Sequence, residues 1–285
     1  MKFSMDADPS SLQPGPFDSD FAAAAAVQAP DQGGGSGIFS QMHKAAAMAQ
    51  AMQQMMKTGT AEHHYVAGSK ERVDRLAFLT ATIVDCAART ITTLDLRRKT
   101  YRVESMDSSS GSGSSGGGSG GSKFTDDGTR VAISVTNTAL GAREVGGLAT
   151  NGYRSDMVMT TTKPSGESQT TNGNLLAYYS NDASPAPSSC ASGRDAGPSG
   201  GAQGMAMMGQ YALAMRALAT RGISSRFSLK QSGPPLPLGK LAMYDAMSFS
   251  QSGHAVTIST ERGNVRSIGA DDPAFSIPSG FTQQQ

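Results

Sequence analysis

Little charge of either sign is left over in this chain: 24 Lys and Arg against 23 Asp and Glu leave a formal +1. No global field therefore draws it to nucleic acid or to an anionic membrane surface. Long apolar runs are missing as well, and nothing approaches the roughly 18 residues of a membrane-spanning helix. Met1-Lys2-Phe3-Ser4 leads into Asp and Pro rather than an apolar signal region, which is how a soluble chain, or one cut after its signal, would read. Cysteine is confined to Cys86 and Cys190, too few for a tetrahedral structural zinc unless histidines complete the set. Each fits a buried small hydrophobe. In an exported protein the two also fit one bridge, whose loop of about 100 residues would stabilise by roughly 4–5 kcal/mol in the chain-entropy model.

What is abundant is Gly, 34 residues, with 13 Pro and many Ser, Thr and Ala, and the hydrophobic share is only 38%. Such a composition predicts that parts of the chain do not pack. Residues 1–37 read as a disordered leader, Ser108 to Ser122 as a flexible Ser/Gly insertion, 181–204 as an irregular segment and 282–285 as a tail. One domain over 38–281 remains. The insertion matches G-x-G-x-x-G (Gly111, Gly113, Gly116) and G-x-S-x-G (Gly113, Ser115, Gly117), but a Gly/Ser tract supplies neither the strand nor the helix that those motifs need.

The stretch Ala61–Asp107 carries most of the fold argument. Short strands rich in β-branched residues are separated by turns at Gly68-Ser69, Asp85 to Arg89, and Asp95 to Lys99. Tyr101-Arg102-Val103-Glu104 alternates apolar and charged side chains, the pattern of an antiparallel strand with one wet face. Further strands are expected at Arg130–Thr136, Tyr153–Met159, Leu175–Tyr179, Arg226–Lys230, Leu241–Ser250, His254–Thr260 and Asn264–Ile268. Turns are expected at Gly146 to Gly152, at Lys163 to Gly166, and at Asn172-Gly173, which favours a tight type I′ hairpin.

Two helices are expected. Ile38–Lys57 is rich in helix formers, with Met42, Met48, Met52, Met55 and Met56 at helical spacing and Gly59 suited to cap it. Met205 to Arg221 carries Met205, Met208 and Met215 along one stripe. Methionine faces grip varied apolar partners because the thioether side chain is flexible and polarisable. They also pack as ordinary core. Thioethers beside His43 further suit Cu(I), which makes copper handling an alternative function. Nothing in the spacing of His43, His63, His64 and His254 defines a reaction, so no enzyme and no cofactor is expected. On a strand, His63 and His64 face opposite ways.

The hairpin Ile91-Thr92-Thr93-Leu94-Asp95 through Lys99-Thr100-Tyr101, together with the ending Asp272-Pro273-Ala274-Phe275-Ser276-Ile277-Pro278-Ser279-Gly280-Phe281, resembles the periplasmic lipoprotein-carrier (LolA-like) superfamily and, within it, a group of uncharacterised domains. The resemblance spans about 61–281, with gaps at the low-complexity segments. It implies an α+β, mainly β fold: an antiparallel incomplete β-barrel, with the two helices covering an apolar concavity. It also implies a periplasmic or cell-envelope location and a non-enzymatic role, binding a lipid, a lipoprotein acyl chain or another apolar ligand. The residues expected to line the concavity are Met48, Met52, Met55, Met205, Met208, Met215, Tyr101 and Val103. A structural or interaction role in the envelope without any ligand is a further alternative.

Overall fold

The computed structural model describes residues 2–5, 21–30, 38–107, 128–183, 227–237, 239–251 and 254–284. Among them the chain is mainly β, in two sheets, with two helices. The seven-stranded sheet combines β1 (Lys2–Met5), β7 (Arg130–Val145), β8 (Leu148–Thr162), β9 (Ser168–Ala183), β10 (Phe227–Ser232), β11 (Lys240–Gln251) and β12 (His254–Glu261), in the order β1-β12-β11-β9-β8-β7-β10. The six-stranded sheet combines β2 (Glu62–Ala67), β3 (Lys70–Arg75), β4 (Thr80–Asp85), β5 (Thr90–Asp95), β6 (Thr100–Ser105) and β13 (Thr282–Gln283), in the order β13-β6-β5-β4-β3-β2. All pairings are antiparallel except β10 with β7 and β13 with β6. Neither sheet closes on itself among the described residues.

The smaller sheet is a meander with a ten-residue period, its strands beginning at Lys70, Thr80, Thr90 and Thr100. Each of the three turns between β3 and β6 ends on a residue in the left-handed region: Leu79 (φ 52°), Arg89 (φ 54°) and Lys99 (φ 52°). Two of the three turns are closed by an aspartate. Asp85 Oδ1 accepts from the amides of Ala87 and Ala88, and Asp95 Oδ1 accepts from that of Arg98. The first turn lacks this aspartate, since Arg75 stands there, and it closes instead by backbone bonds from Phe78 to Arg75 and from Leu79 to Leu76.

One face of the meander is covered. Arg72, Asp74, Ala81, Ile83, Thr92 and Leu94 are buried on it, as their cross-strand pairing requires. The cover is the C-terminal segment. A 3-10 turn, Pro273–Phe275, capped by the Asp272 carboxylate, buries Phe275, and Phe281 packs on Ala81, Ile83 and Leu94. Beyond it the amides of Thr282 and Gln284 bond the carbonyls of Lys99 and Tyr101, which lays β13 along β6.

In the larger sheet the central strands β9 and β11 are buried on both faces. Val145, Leu176, Tyr178, Tyr244 and Ala246 form one core, and Leu175, Ala177, Tyr179, Ala242 and Met247 form another. Leu236, in the loop after β10, packs on the second core, and Asn137 Nδ2 donates to the Pro234 carbonyl of that loop at 3.0 Å. The β7–β8 hairpin turns on Gly146 (φ 58°) and Gly147 (φ 80°), the two positive φ values of a type I′ turn. A Cβ at Gly146 would stand 2.4 Å from the Arg262 carbonyl, so glycine is needed there for space as well.

Several local expectations are corrected. Asn172-Gly173 is not a turn: it lies inside β9, paired to Val158-Met157 on one side and Ser250-Phe249 on the other. Two ladder partners outweigh the dipeptide's turn preference. Gly152 likewise sits within β8, opposite Tyr178, whose ring occupies the space where a Cβ would lie. Asn264–Ile268 is not a strand; it is irregular chain connecting the larger sheet to the C-terminal cover. The leader expected to be unstructured contributes β1, paired antiparallel with β12, and α1 (Phe21–Ala26). Ala24, Val27 and Ala29 are buried there, and Arg97 donates to the Ala29 carbonyl at 2.7 Å, so small residues dock without large apolar anchors. The Ser/Gly insertion, the irregular segment beyond 183 and the helix expected at 205–221 lie outside the described residues.

Candidate functional site

Helix α2 (Ile38–Thr58) forms where its composition predicts and ends at Gly59 (φ 87°), whose amide bonds the Met55 carbonyl at 2.8 Å. It packs against β1 and α1. Ala51 is buried, and Met48 and Met55, three residues before and four after it, are half-buried on the same side. Met52 is 59% exposed on a different stripe, with Met42 at 65% and Met56 at 39%. The expected lining therefore divides: Met48 and Met55 share the docking side of α2, whereas Met52 points away from it.

Tyr101 and Val103 belong to another part of the molecule, on β6. Tyr101 is half-buried against the Ala81–Ile83–Leu94 core, with its hydroxyl 3.4 Å from Gln283 Oε1, and Val103 is 39% exposed. Met205, Met208 and Met215 lie outside the described residues. Cys86 is disulfide-bonded, and Cys190 also lies outside the described residues.

Two buried charged clusters were not legible in the sequence. In the first, Arg72 and Asp74 pair at 2.5 Å with both side chains 10% exposed. The Arg72 Nη1 also donates to the Ala274 carbonyl at 2.7 Å, and its guanidinium lies 6.0 Å from the Tyr65 ring centre. Arg72 thus ties β3 to the C-terminal cover. Alternation along Lys70–Arg75 places Arg72 and Asp74 on one face, but nothing local shows that this face is the buried one.

The second cluster centres on Asp245 in β11, opposite Thr260 of β12. Burial pushes its carboxyl above the ordinary carboxylate range, and Arg262 at 3.2 Å offsets this only in part. Burial and the Asp245 charge likewise push the Tyr179 hydroxyl up to about 12. Tyr153 meets Tyr179 edge to face at 6.0 Å. Perturbed groups gathered in this way are a usual mark of a reactive site. This set holds an ion pair and two tyrosines, though, with no nucleophile beside a base, so it reads as a structural lock between β11 and the chain beyond β12.

The two adjacent histidines have separate neighbours. His63 is exposed and meets the Tyr65 ring edge to face, while His64 pairs with Glu62 at 3.2 Å. Among the described residues no group of three His, Cys, Asp or Glu side chains is placed to hold a metal, and no helix is long and apolar enough to cross a membrane. No family model, no curated protein and no solved structure matches the chain.

Proposed function

We propose that the chain is a non-enzymatic protein of the cell envelope that holds a lipid, an acyl chain or a ligand of similar apolar chemistry against α2. The observation that carries this reading is the docking side of the helix. Met48 and Met55 stay half-buried around the buried Ala51, an apolar lining that the described fold does not close. Thioether side chains repack around an irregular hydrocarbon at low cost. In this reading the two sheets are walls of an incomplete barrel, and the chain is a distant member of the lipoprotein-carrier superfamily. The disulfide at Cys86 supports an oxidising compartment. Native mass spectrometry of gently purified protein tests the proposal. A co-purifying lipid mass is expected, and a bare chain that also takes up no added fatty acid would overturn it.

A further inference from the structure

The two sheets keep separate cores. Among the described residues, the clusters around Leu176 and Tyr179 draw only on the larger sheet and the loop after β10, and the cluster around Leu94 only on the smaller sheet and its C-terminal cover. A short N-terminal stretch, residues 21–30, reaches both. At one end the Phe21 ring lies 3.0 Å from where a Cβ on Gly263 would stand, at the point where the chain leaves the larger sheet. Arg262 holds that point in place, its amide bonded to the Met243 carbonyl at 2.8 Å and its side chain paired with Asp245 at 3.2 Å. At the other end Ala29 is tied to two turns of the meander. Its amide donates to the Ala77 carbonyl at 2.6 Å, and its carbonyl accepts from Arg97 Nη2 at 2.7 Å. Ala24, Val27 and Ala29 are buried along the way.

We propose that residues 21–30 are a latch between the sheets. Seated, they fix the smaller sheet against the larger one; released, they let the smaller sheet and its cover turn as one body about the irregular chain at 263–269. Three features make this opening easier than unfolding either sheet. The latch buries two alanines and one valine, beside a Phe21 that is 38% exposed, so it hides far less apolar area than the cores around Leu94 and Leu176 do. Its grip on the meander is a pair of hydrogen bonds to turn residues rather than a strand ladder. The connector it braces is neither helix nor strand, so backbone pairing does not set the angle there. A segment with few apolar contacts opens locally while the cores stay closed. No residue of the latch belongs to the docking side of α2, so the inference is independent of the ligand reading.

Spin labels at the exposed Thr93 on β5 and Ser134 on β7, introduced through a non-native amino acid so that the disulfide at Cys86 stays intact, test this in the full chain. Pulsed dipolar spectroscopy should give one narrow distance distribution in wild type and a broad one in Val27→Asp and in Arg97→Gln. The second variant keeps every apolar contact of the latch, so its result stands even where the first fails to fold. Hydrogen exchange supplies the companion reading: the Ala29 amide should exchange about tenfold faster in Arg97→Gln, while the amides of Leu94 and Leu176 stay at wild-type rates. Variants that keep the narrow wild-type distribution overturn the inference, and so does a wild type as broad as its variants. Exchange that rises equally at Ala29, Leu94 and Leu176 would make the segment part of one core and overturn it too.

Discussion

Lys99 sits in the left-handed region at φ 52°, where its Cβ crowds the following carbonyl. Replacing it with Gly removes that crowding but loosens the unfolded chain, for a net gain of about 0.5–1 kcal/mol. Urea denaturation of Lys99→Gly should show a raised midpoint with an unchanged slope; a lowered midpoint would mean that the lysine side chain contributes more than its backbone costs. Ser248 poses the opposite problem. Its side chain is fully buried on β11, and its hydroxyl, like that of Thr257 directly across the ladder, has no hydrogen-bond partner among the described residues. Ser248→Ala should therefore stabilise by about 1 kcal/mol, measured the same way. Asp245 makes a pH prediction. Its carboxyl titrates above the ordinary value of 3.8, so the folded chain binds that proton more tightly than the unfolded chain. Stability from this group is fully present below the unfolded value and is lost as pH rises through the raised folded value. The unfolding free energy of wild type minus that of Asp245→Asn should thus grow as the pH is lowered from neutral toward about 4. A difference that shrinks over that range would reverse the assignment.

Among the elements, the C-terminal cover is what converts the meander from a one-sided sheet into a packed unit. Arg72 is its central tie, so Arg72→Ala, which strands the Asp74 carboxylate in a buried site, should cost about 3–5 kcal/mol. The double replacement Arg72→Met with Asp74→Leu should recover most of that loss, because an apolar pair of similar volume carries no desolvation penalty. Thermal unfolding of the two variants separates a charge effect from a packing effect. The same region shows what the sequence discloses. Thr90 to Glu104 is legible because alternation and the turn residues agree. The meander's ten-residue repeat is not, because only its backbone is regular: Arg75 stands where Asp85 and Asp95 stand in the next two turns, and Leu, Arg and Lys occupy the left-handed positions. Asn172-Gly173 misleads because a local turn preference is weaker than two ladder partners. Neither buried ion pair can be read in advance: Arg72 and Asp74 are two residues apart, but the face they share is buried only by the distant C-terminal segment, and Asp245 meets Arg262 only once β12 folds back along β11. The α2 methionines are half legible: helical spacing identifies the helix, but which stripe docks depends on what lies beside it.

At the scale of the whole molecule, the chain places apolar burial in the centre of the larger sheet and beneath the C-terminal cover of the smaller one. It leaves methionines at the surface on α2. Of the residues expected to form one lined concavity, the described ones are spread over two elements, Met48, Met52 and Met55 on α2 and Tyr101 with Val103 on β6. The ligand reading is accordingly attached to the helix. Equilibrium titration of the full chain with a fluorescent fatty acid, in wild type and in the double variant Met48→Gln and Met55→Gln, tests that claim most directly. Saturable binding displaced by unlabelled fatty acid, and weakened at least tenfold in the variant, a loss of about 1.4 kcal/mol, is the predicted result. No saturable binding, or binding that is identical in the two proteins, would contradict it.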